Sequence, residues 1–518
     1  MERDNIMSNF NATNFVASVQ QQAFYDEVIN GTSNIILRAR AGCGKTTTIT
    51  KVAEMLPNKK MLYLSFGKKN QEDLEAKLEG FPNAKAQTFG SVGWWAQVVN
   101  NSPKFNKKFN KPFGKVKDIV SSLFTEEEEE KMIDPVVRAV DLAKNRGIGC
   151  SEVCDIDDTN EWKKLIDHFG ITDDVSVDTD DFIEKCILSL KLSNAKMNQI
   201  DFNDQVYMPS LYNWDLPKYD FVFVDEAQDS NRSRILMAKK MIKPNGGRII
   251  FVGDDRQAIM GFTGADNDSM DVLEKEFDCK VLPLSLTYRC PKSVVSVAQG
   301  LVPDIEAHET NMEGSVTDIT YADFLDKVGK GDVILCRLNR HLVTLFFKFI
   351  KKGIKAKIEG KDQVSGLMWI AAQFGKGKSL TKIVDLVEEY KEERVHKLNE
   401  KRNFVAAEAI SDKVDCLVAI IEYLISQGRN TLKDLKDQLT EMFGDNVDRS
   451  QCVVLCSAHK SKGLEWDNVY ILGYSQFMPH SKAEKEWELQ QEYNLMYVAV
   501  TRAKKNLVFV NYVPSKIN

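Results

Sequence analysis

Eight short apolar runs set what this chain can fold into. Residues 34–39 (Asn-Ile-Ile-Leu-Arg-Ala), 61–66 (Met-Leu-Tyr-Leu-Ser-Phe), 219–225 (Tyr-Asp-Phe-Val-Phe-Val-Asp) and 248–253 (Arg-Ile-Ile-Phe-Val-Gly) each precede a polar or glycine-containing turn and then helix-like sequence. Residues 332–337, 452–456, 469–473 and 507–512 repeat the theme. A strand buried on both faces of a parallel sheet reads as such a run, with crossover helices between runs. The expected class is α/β, with two parallel-sheet lobes, one early and one late. Two stretches, 101–200 and 366–446, lack the rhythm and read as helical. The expected organisation is a first lobe from 1–100 and 201–285 with insertion 101–200, then a second lobe from 286–365 and 447–518 with a small insertion 366–446.

Charge enters as an apparent objection to a polyanionic partner. The 518 residues carry 69 Lys plus Arg against 75 Asp plus Glu, a formal charge of −6, whereas such binders are often basic. The distribution removes the objection. Residues 151–184 hold twelve acids and two lysines, while residues 103–118 hold six lysines and one aspartate. The acidity belongs to one patch of the first insertion. A 43% hydrophobic content excludes a disordered chain. No apolar run nears the roughly 18 residues of a membrane span, and no partner membrane is expected. Met1-Glu2-Arg3-Asp4 opens no export signal. The ten cysteines are therefore read as reduced thiols, in a cytoplasmic protein or, for a viral source, in the cytoplasm of the infected cell.

The strongest local signal is Ala39-Arg40-Ala41-Gly42-Cys43-Gly44-Lys45-Thr46, which follows a predicted strand and opens a helix. Backbone N–H groups of such a loop point at phosphate oxygens, and the helix start adds positive potential. Gly42 and Gly44 permit close approach, Lys45 neutralises β/γ-phosphates, and Thr46 offers a hydroxyl to Mg²⁺. Ala39 stands where the strict pattern has glycine. The required acidic partner is Asp225-Glu226-Ala227-Gln228-Asp229, after an apolar strand. Asp225 falls at the strand's carboxyl end, where α/β ligands bind, within reach of the Mg²⁺ shell. Glu226 is placed to accept a proton from attacking water. Gly375-Lys376-Gly377-Lys378-Ser379 imitates the loop, but no strand precedes it. Asp178-Thr179-Asp180-Asp181 lacks the glycine of a calcium loop.

The chain resembles the UvrD/Rep/PcrA group of superfamily 1 helicases. Motifs occur in that group's order: the phosphate loop, Phe66-Gly67-Lys68-Lys69-Asn70, Thr88-Phe89, the acidic box, Gly253-Asp254-Asp255-Arg256-Gln257-Ala258-Ile259 with Phe262, Leu286-Thr287-Tyr288-Arg289, Cys336-Arg337-Leu338-Asn339, 457–465 and 497–503. The resemblance implies two RecA-like lobes with ATP and Mg²⁺ between them and single-stranded DNA across both. It implies that Gln21 reads the adenine, that Tyr288 stacks on it, and that Glu465 contacts the ribose. Gly42, Cys43, Gly44, Lys45, Thr46 and Thr47 would cradle the phosphates. Gln257 would sense the γ-phosphate, and Arg289 and Arg502 would act as arginine fingers. Phe66, Thr88, Phe262 and His459 would face the DNA. The expected activity is an ATP-driven helicase or translocase on single-stranded DNA, 3′-to-5′, acting at single/double-strand junctions with replication or repair proteins as partners. A protein-stripping translocase and a weakly hydrolysing switch are the alternatives. Met260, Thr263 and Thr47 depart from residues common in the group. Arg502 lies near the end of this sequence, so the duplex-splitting hairpin of many relatives is not expected here.

The segment 104–117 interleaves six lysines with three phenylalanines. That composition suits a nucleic-acid strip and equally a solvated lysine face over an apolar anchor.

Overall fold

The computed structural model describes residues 15–100, 114–124, 126–172, 178–259, 269–375, 377–400, 404–443, 448–481, 483 and 486–512. Phe262, Met260, Thr263 and most of the lysine-phenylalanine strip lie outside the described residues.

The first sheet contains β1 (Asn34–Ala39), β2 (Met61–Ser65), β3 (Ala84–Thr88), β4 (Phe221–Asp225), β5 (Arg248–Gly253) and β6 (Cys279–Leu284). Their order is β3-β2-β4-β5-β1-β6, with every pairing parallel. A ribbon of β7 (Leu286–Thr287) and β8 (Glu306–Ala307) follows. The second sheet uses β9 (Ser315–Thr320), β10 (Val333–Cys336), β11 (Ala356–Ile358), β12 (Val453–Ser457), β13 (Trp466–Leu472) and β14 (Ala503–Asn511). Its order is β11-β12-β10-β13-β14-β9, again all parallel. These are two RecA-like lobes.

Alternation along each central strand feeds two cores. Tyr63, Phe223 and Ile250 face the helix Val19–Asn30 with Phe24 and Tyr25. Leu62, Leu64, Val222, Val224 and Phe251 face Ile235 and Val92 on the other side. In the second lobe one face meets helix Asn339–Lys351 and helices after residue 361, through Leu342, Leu380, Val414 and Leu439. Its opposite face packs on Val294, Leu495 and Val498, and Ala41 and Ile259 of the first lobe join that same cluster. The lobes thus share apolar contact beside the phosphate loop.

The two inserted regions differ in how they are anchored. Described residues 114–200 form helices Lys115–Ser121, Glu126–Arg146, Thr159–Phe169 and Thr179–Ala195 around Val136, Trp162, Phe182 and Leu190, a core apart from the sheet that Tyr207, Met208 and Leu236 of the first lobe's helices complete. Asp178 caps the last of these, accepting from the N–H groups of Asp180 and Asp181, which accounts for that acidic run. The later helices Lys361–Gly375, Leu380–Glu400, Phe404–Ser426 and Leu432–Phe443 instead extend the second lobe's core. Gly375 ends one helix and Leu380 opens the next, so the imitation loop joins two helices. No described helix is long and apolar enough to cross a membrane. All ten cysteines are free thiols.

Candidate active site

β1 delivers the chain into the glycine loop, and helix Lys45–Met55 begins directly after Gly44. Gly44 sits at φ +77 and the helix start carries no side-chain cap. Its first N–H groups therefore suit an anionic oxygen. Gly42 has φ +71, and a Cβ there would lie 2.4 Å from Arg289 Cβ and 2.6 Å from Thr287 Oγ1. The Tyr288 N–H donates to Gly42 O at 2.9 Å. The second lobe thus rests on the loop itself, and only glycine meets both the backbone and the space requirement.

β4 ends at the buried Asp225. The next residue, Glu226, has φ 53 and ψ 44. A non-glycine residue in this left-handed region costs roughly 1 kcal/mol or more. The turn aims Glu226 Oε1 at Lys45 Nζ, 3.0 Å away. Burial and the neighbouring Glu226 charge push the Asp225 carboxyl up. Burial also acts to raise Glu226, but Lys45 and Lys462 outweigh it and hold that carboxyl down. Burial opposes the Lys45 ammonium, and Glu226, Asp225 and Asp254 more than offset it, so it stays charged. The Cys43 thiol is pushed up to about 12, chiefly by burial, so it remains neutral and only its backbone serves the loop.

These groups line a cavity of about 860 Å³ between the lobes. Gly42, Cys43, Gly44, Lys45, Thr46, Thr47, Asp225, Glu226 and Gln257 contribute from the first lobe. Tyr288, Arg289, Glu465 and Arg502 contribute from the second. Arg289 Nε lies 2.5 Å from Glu465 Oε2. Arg502 is only 1% exposed. Its guanidinium donates to Val498 O (2.8 Å), Leu464 O (3.1 Å) and Thr501 Oγ1 (3.0 Å). Burial and nearby Arg289 lower it to about 10, which still leaves it charged near neutrality. These partners are neutral second-lobe oxygens, and among the described residues no carboxylate pairs with it. Gln257 is buried, donating from Nε2 to Asp254 Oδ2 at 2.7 Å.

Other expected residues fall differently. Gln21 is buried beside the loop, but its Nε2 donates to Thr48 Oγ1 (2.8 Å) and its Oε1 accepts from the Ser18 N–H (2.9 Å). Each end of its amide is thus engaged once, with one N–H and one lone pair still available. Gln20 grips Ser285 and Gln22 bonds Asp26. Phe66 and His459 line the same cavity as the phosphate loop. Phe66 is 41% exposed, with the Arg234 guanidinium 4.1 Å over its ring. Burial, with Arg337 and Lys460 nearby, brings His459 down to about 3 and keeps it neutral. Thr88 ends β3 outside the cavity, where its Oγ1 accepts from the Ser91 N–H at 3.1 Å.

The sequence reading missed several interlobe groups. Lys462 donates from Nζ to Asp229 Oδ2 (2.5 Å) and to Gln257 O (2.6 Å). The Ala41 N–H donates to Tyr497 Oη at 3.0 Å, and Asn494 Nδ2 to Ala258 O at 2.9 Å. Lys462 and Tyr497 lie inside recognised motifs, so their positions were available. Nothing in the local sequence marked Asn494.

The sequence profile of the UvrD-like helicase C-terminal domain matches residues 138–513. The chain is 24% identical to F-box DNA helicase protein 1 of Schizosaccharomyces pombe, across 94% of this chain and 57% of that protein. It is 22% identical to ATP-dependent DNA helicase Rep of Buchnera aphidicola subsp. Schizaphis graminum, across 93% of this chain and 91% of the relative. It is 19% identical to ATP-dependent DNA helicase PcrA of a Staphylococcus epidermidis strain, across 92% and 81%. The chain thus spans little more than half of the yeast relative and most of the two bacterial ones.

Proposed function

The chain belongs to the UvrD-like helicase family, and on that premise we propose that it is a DNA-stimulated ATPase that moves 3′-to-5′ on single-stranded DNA and unwinds duplex. One observation carries the hydrolytic part: a single cavity joins Lys45, Asp225, Glu226 and Gln257 of one lobe to Arg289 and Arg502 of the other. Phosphoryl transfer gathers charge on peripheral oxygens, so its catalysis is mainly positioning and electrostatics. Lys45 and the loop N–H groups would hold the β/γ-phosphates. Arg289 and Arg502 would meet the developing charge, with the planar, permanently charged fork that suits it. Glu226, kept ionised, would take the proton of the attacking water. In the present geometry Lys45 pairs with Glu226 and Arg289 with Glu465. A nucleotide would exchange both pairs for phosphate contacts, freeing Glu226 and Glu465.

The residues fit a magnesium ion. Asp225 is a buried carboxyl whose anion is disfavoured without a cation beside it, and Thr46 supplies a hydroxyl on the same cavity wall. Such an ion would neutralise charge on the phosphate oxygens. Tyr288 reaches the cavity from the second lobe and is the proposed adenine platform.

The DNA half of the reading rests on the family and on relatives named as DNA helicases. Its substrates would be single strands and strand junctions, with replication or repair proteins as partners. ATP hydrolysis with and without single-stranded DNA tests it. Strong stimulation is expected, and a rate indifferent to DNA would indicate a nucleotide switch. Unwinding of 3′-tailed over 5′-tailed duplex is expected next. Failure on both tails with intact stimulation would leave a protein-stripping translocase.

A further inference from the structure

Arg40 occupies an unconstrained position of the phosphate loop, and nothing in the hydrolytic reading uses it. Its buried guanidinium nevertheless joins both lobes. Nη1 donates to Asp254 Oδ1 (3.0 Å) and Asp255 Oδ1 (2.7 Å) in the first lobe. Nε and Nη2 form a fork on the carboxylate of Asp304, at 2.9 and 2.8 Å. Asp304 lies between Val302 and Ile305, which are buried in the second lobe's core. Asp254 is fully buried, and its other oxygen, Oδ2, accepts from Gln257 Nε2 at 2.7 Å. Its N–H donates to Gln228 Oε1 at 3.1 Å, and Gln228 Nε2 donates in turn to Glu226 Oε2.

We propose that Arg40 is a closure-reading positioning residue, which couples docking of Asp304 to the orientation of Asp254, Gln257 and Glu226. This deepens the proposed ATPase reading and rests on it. A bidentate pair fixes the plane of a guanidinium as well as its place. With Asp304 docked, Nε and Nη2 are occupied and Nη1 is left aimed at Asp254. When the lobes part, that constraint is lost, and Asp254 no longer holds Gln257 and Gln228 in one register. Full alignment of the water-handling residues is then restricted to the closed state. The interlobe contacts from Tyr497 and Asn494 end on backbone groups, and Lys462 reaches Asp229 Oδ2 and the Gln257 carbonyl. Arg40 differs in reaching the Gln257 side chain through Asp254 alone, and Glu226 through Asp254 and Gln228.

Asp304 offers the cleaner handle, because its side chain is 54% exposed and Arg40 keeps the carboxylates of Asp254 and Asp255 when Asp304 is changed. Steady-state hydrolysis by the full chain, with saturating single-stranded DNA, is compared for wild type, Asp304→Asn and Asp304→Glu. The expected result for Asp304→Asn is a fall in kcat of about tenfold with KM for ATP held within about twofold. Asp304→Glu should restore most of the rate, and all three melting temperatures should agree. A purely structural latch would lower the melting temperature and leave kcat in place. Wild-type kcat in Asp304→Asn overturns the proposal, as does a loss that follows melting temperature and that Asp304→Glu does not repair. A wild type without ATPase activity overturns the functional reading and this one with it. An active wild type with an unaffected variant overturns only the role of Arg40.

Discussion

Two clusters of buried charge in this molecule have similar ingredients and opposite settings. In the interlobe cleft, Lys45 meets Glu226 at 3.0 Å and Lys462 meets Asp229 at 2.5 Å, along the wall of an open cavity. At the foot of the first insertion, Lys115 meets Asp204 at 2.6 Å. Lys144 there meets Asp201 and Asp204, both at 2.7 Å, and the four side chains are 10% exposed or less. Burial prevails at Lys115, which faces one carboxylate and is lowered. It loses at Lys144, which faces two and is raised. The sealed cluster ties the insertion's helices to Phe202–Leu211 of the first lobe and has nothing to exchange with. On the proposed reading, the cleft's pairs are spare partners that a polyanion would displace. Distances alone do not separate a structural ion pair from a functional one, but the space around them does.

The largest effect should come from the cleft. Lys45→Ala is expected to cut hydrolysis on the order of 10²–10³-fold, as for loss of a preorganised transition-state contact. DNA binding and the unfolding midpoint should stay near wild type, because water can reach what remains. Hydrolysis at the wild-type rate in this variant would sink the site assignment. Lys144→Met should do the reverse. Leaving Asp201 and Asp204 short of a cation in a dry site costs about 3–5 kcal/mol, readable in a denaturant titration. Hydrolysis per folded molecule should be unchanged. A large rate loss with normal stability would erase the distinction between the clusters.

The smallest effect concerns Asp141, whose Oδ1 accepts from Asn203 Nδ2 at 3.0 Å beside the sealed cluster. Burial, and then Asp201, push its carboxyl up to about 6. A raised carboxyl favours the folded state below its unfolded value near 4, and that contribution disappears as pH rises through about 6. Asp141→Asn should therefore gain stability over wild type above pH ~6, by about 2–3 kcal/mol, and converge with it toward pH ~4. Parallel stability curves for the two proteins would assign the titration elsewhere.

Legibility in the sequence followed the same divide between sealed and open surroundings. The eight apolar runs became the eight central strands of the two sheets. The strands that escaped notice in those sheets are their four edges: β3, β6, β9 and β11. A central strand is covered on both faces, so its middle is an apolar run. An edge strand needs no such run, and Ala84-Lys85-Ala86-Gln87-Thr88 and Ser315-Val316-Thr317-Asp318 show this. Pro283 also sits in edge strand β6, where a missing N–H is tolerated. The site divides similarly. Loop and acidic-box chemistry is local, so Lys45, Asp225 and Glu226 could be placed from neighbours in sequence. The partners of Arg40, Lys462 and Asn494 come from the other lobe or a distant motif, and no spacing along the chain encodes them. Gln21 is a case where local sequence and tertiary setting meet. Its position fits a pattern, and the capping of its own helix engages the amide oxygen.

β1 carries the phosphate loop, yet its two neighbours, β5 and β6, both follow the first insertion in the chain. During synthesis the loop-bearing strand leaves the ribosome before any strand that will flank it exists. β2 and β3 can pair with each other while they wait, but β1 has no such companion. Most of the insertion's core can condense in the meantime, before Tyr207, Met208 and Leu236 arrive to complete it. The price of placing the catalytic loop on a central strand is therefore an apolar segment that must be shielded until much later codons are read.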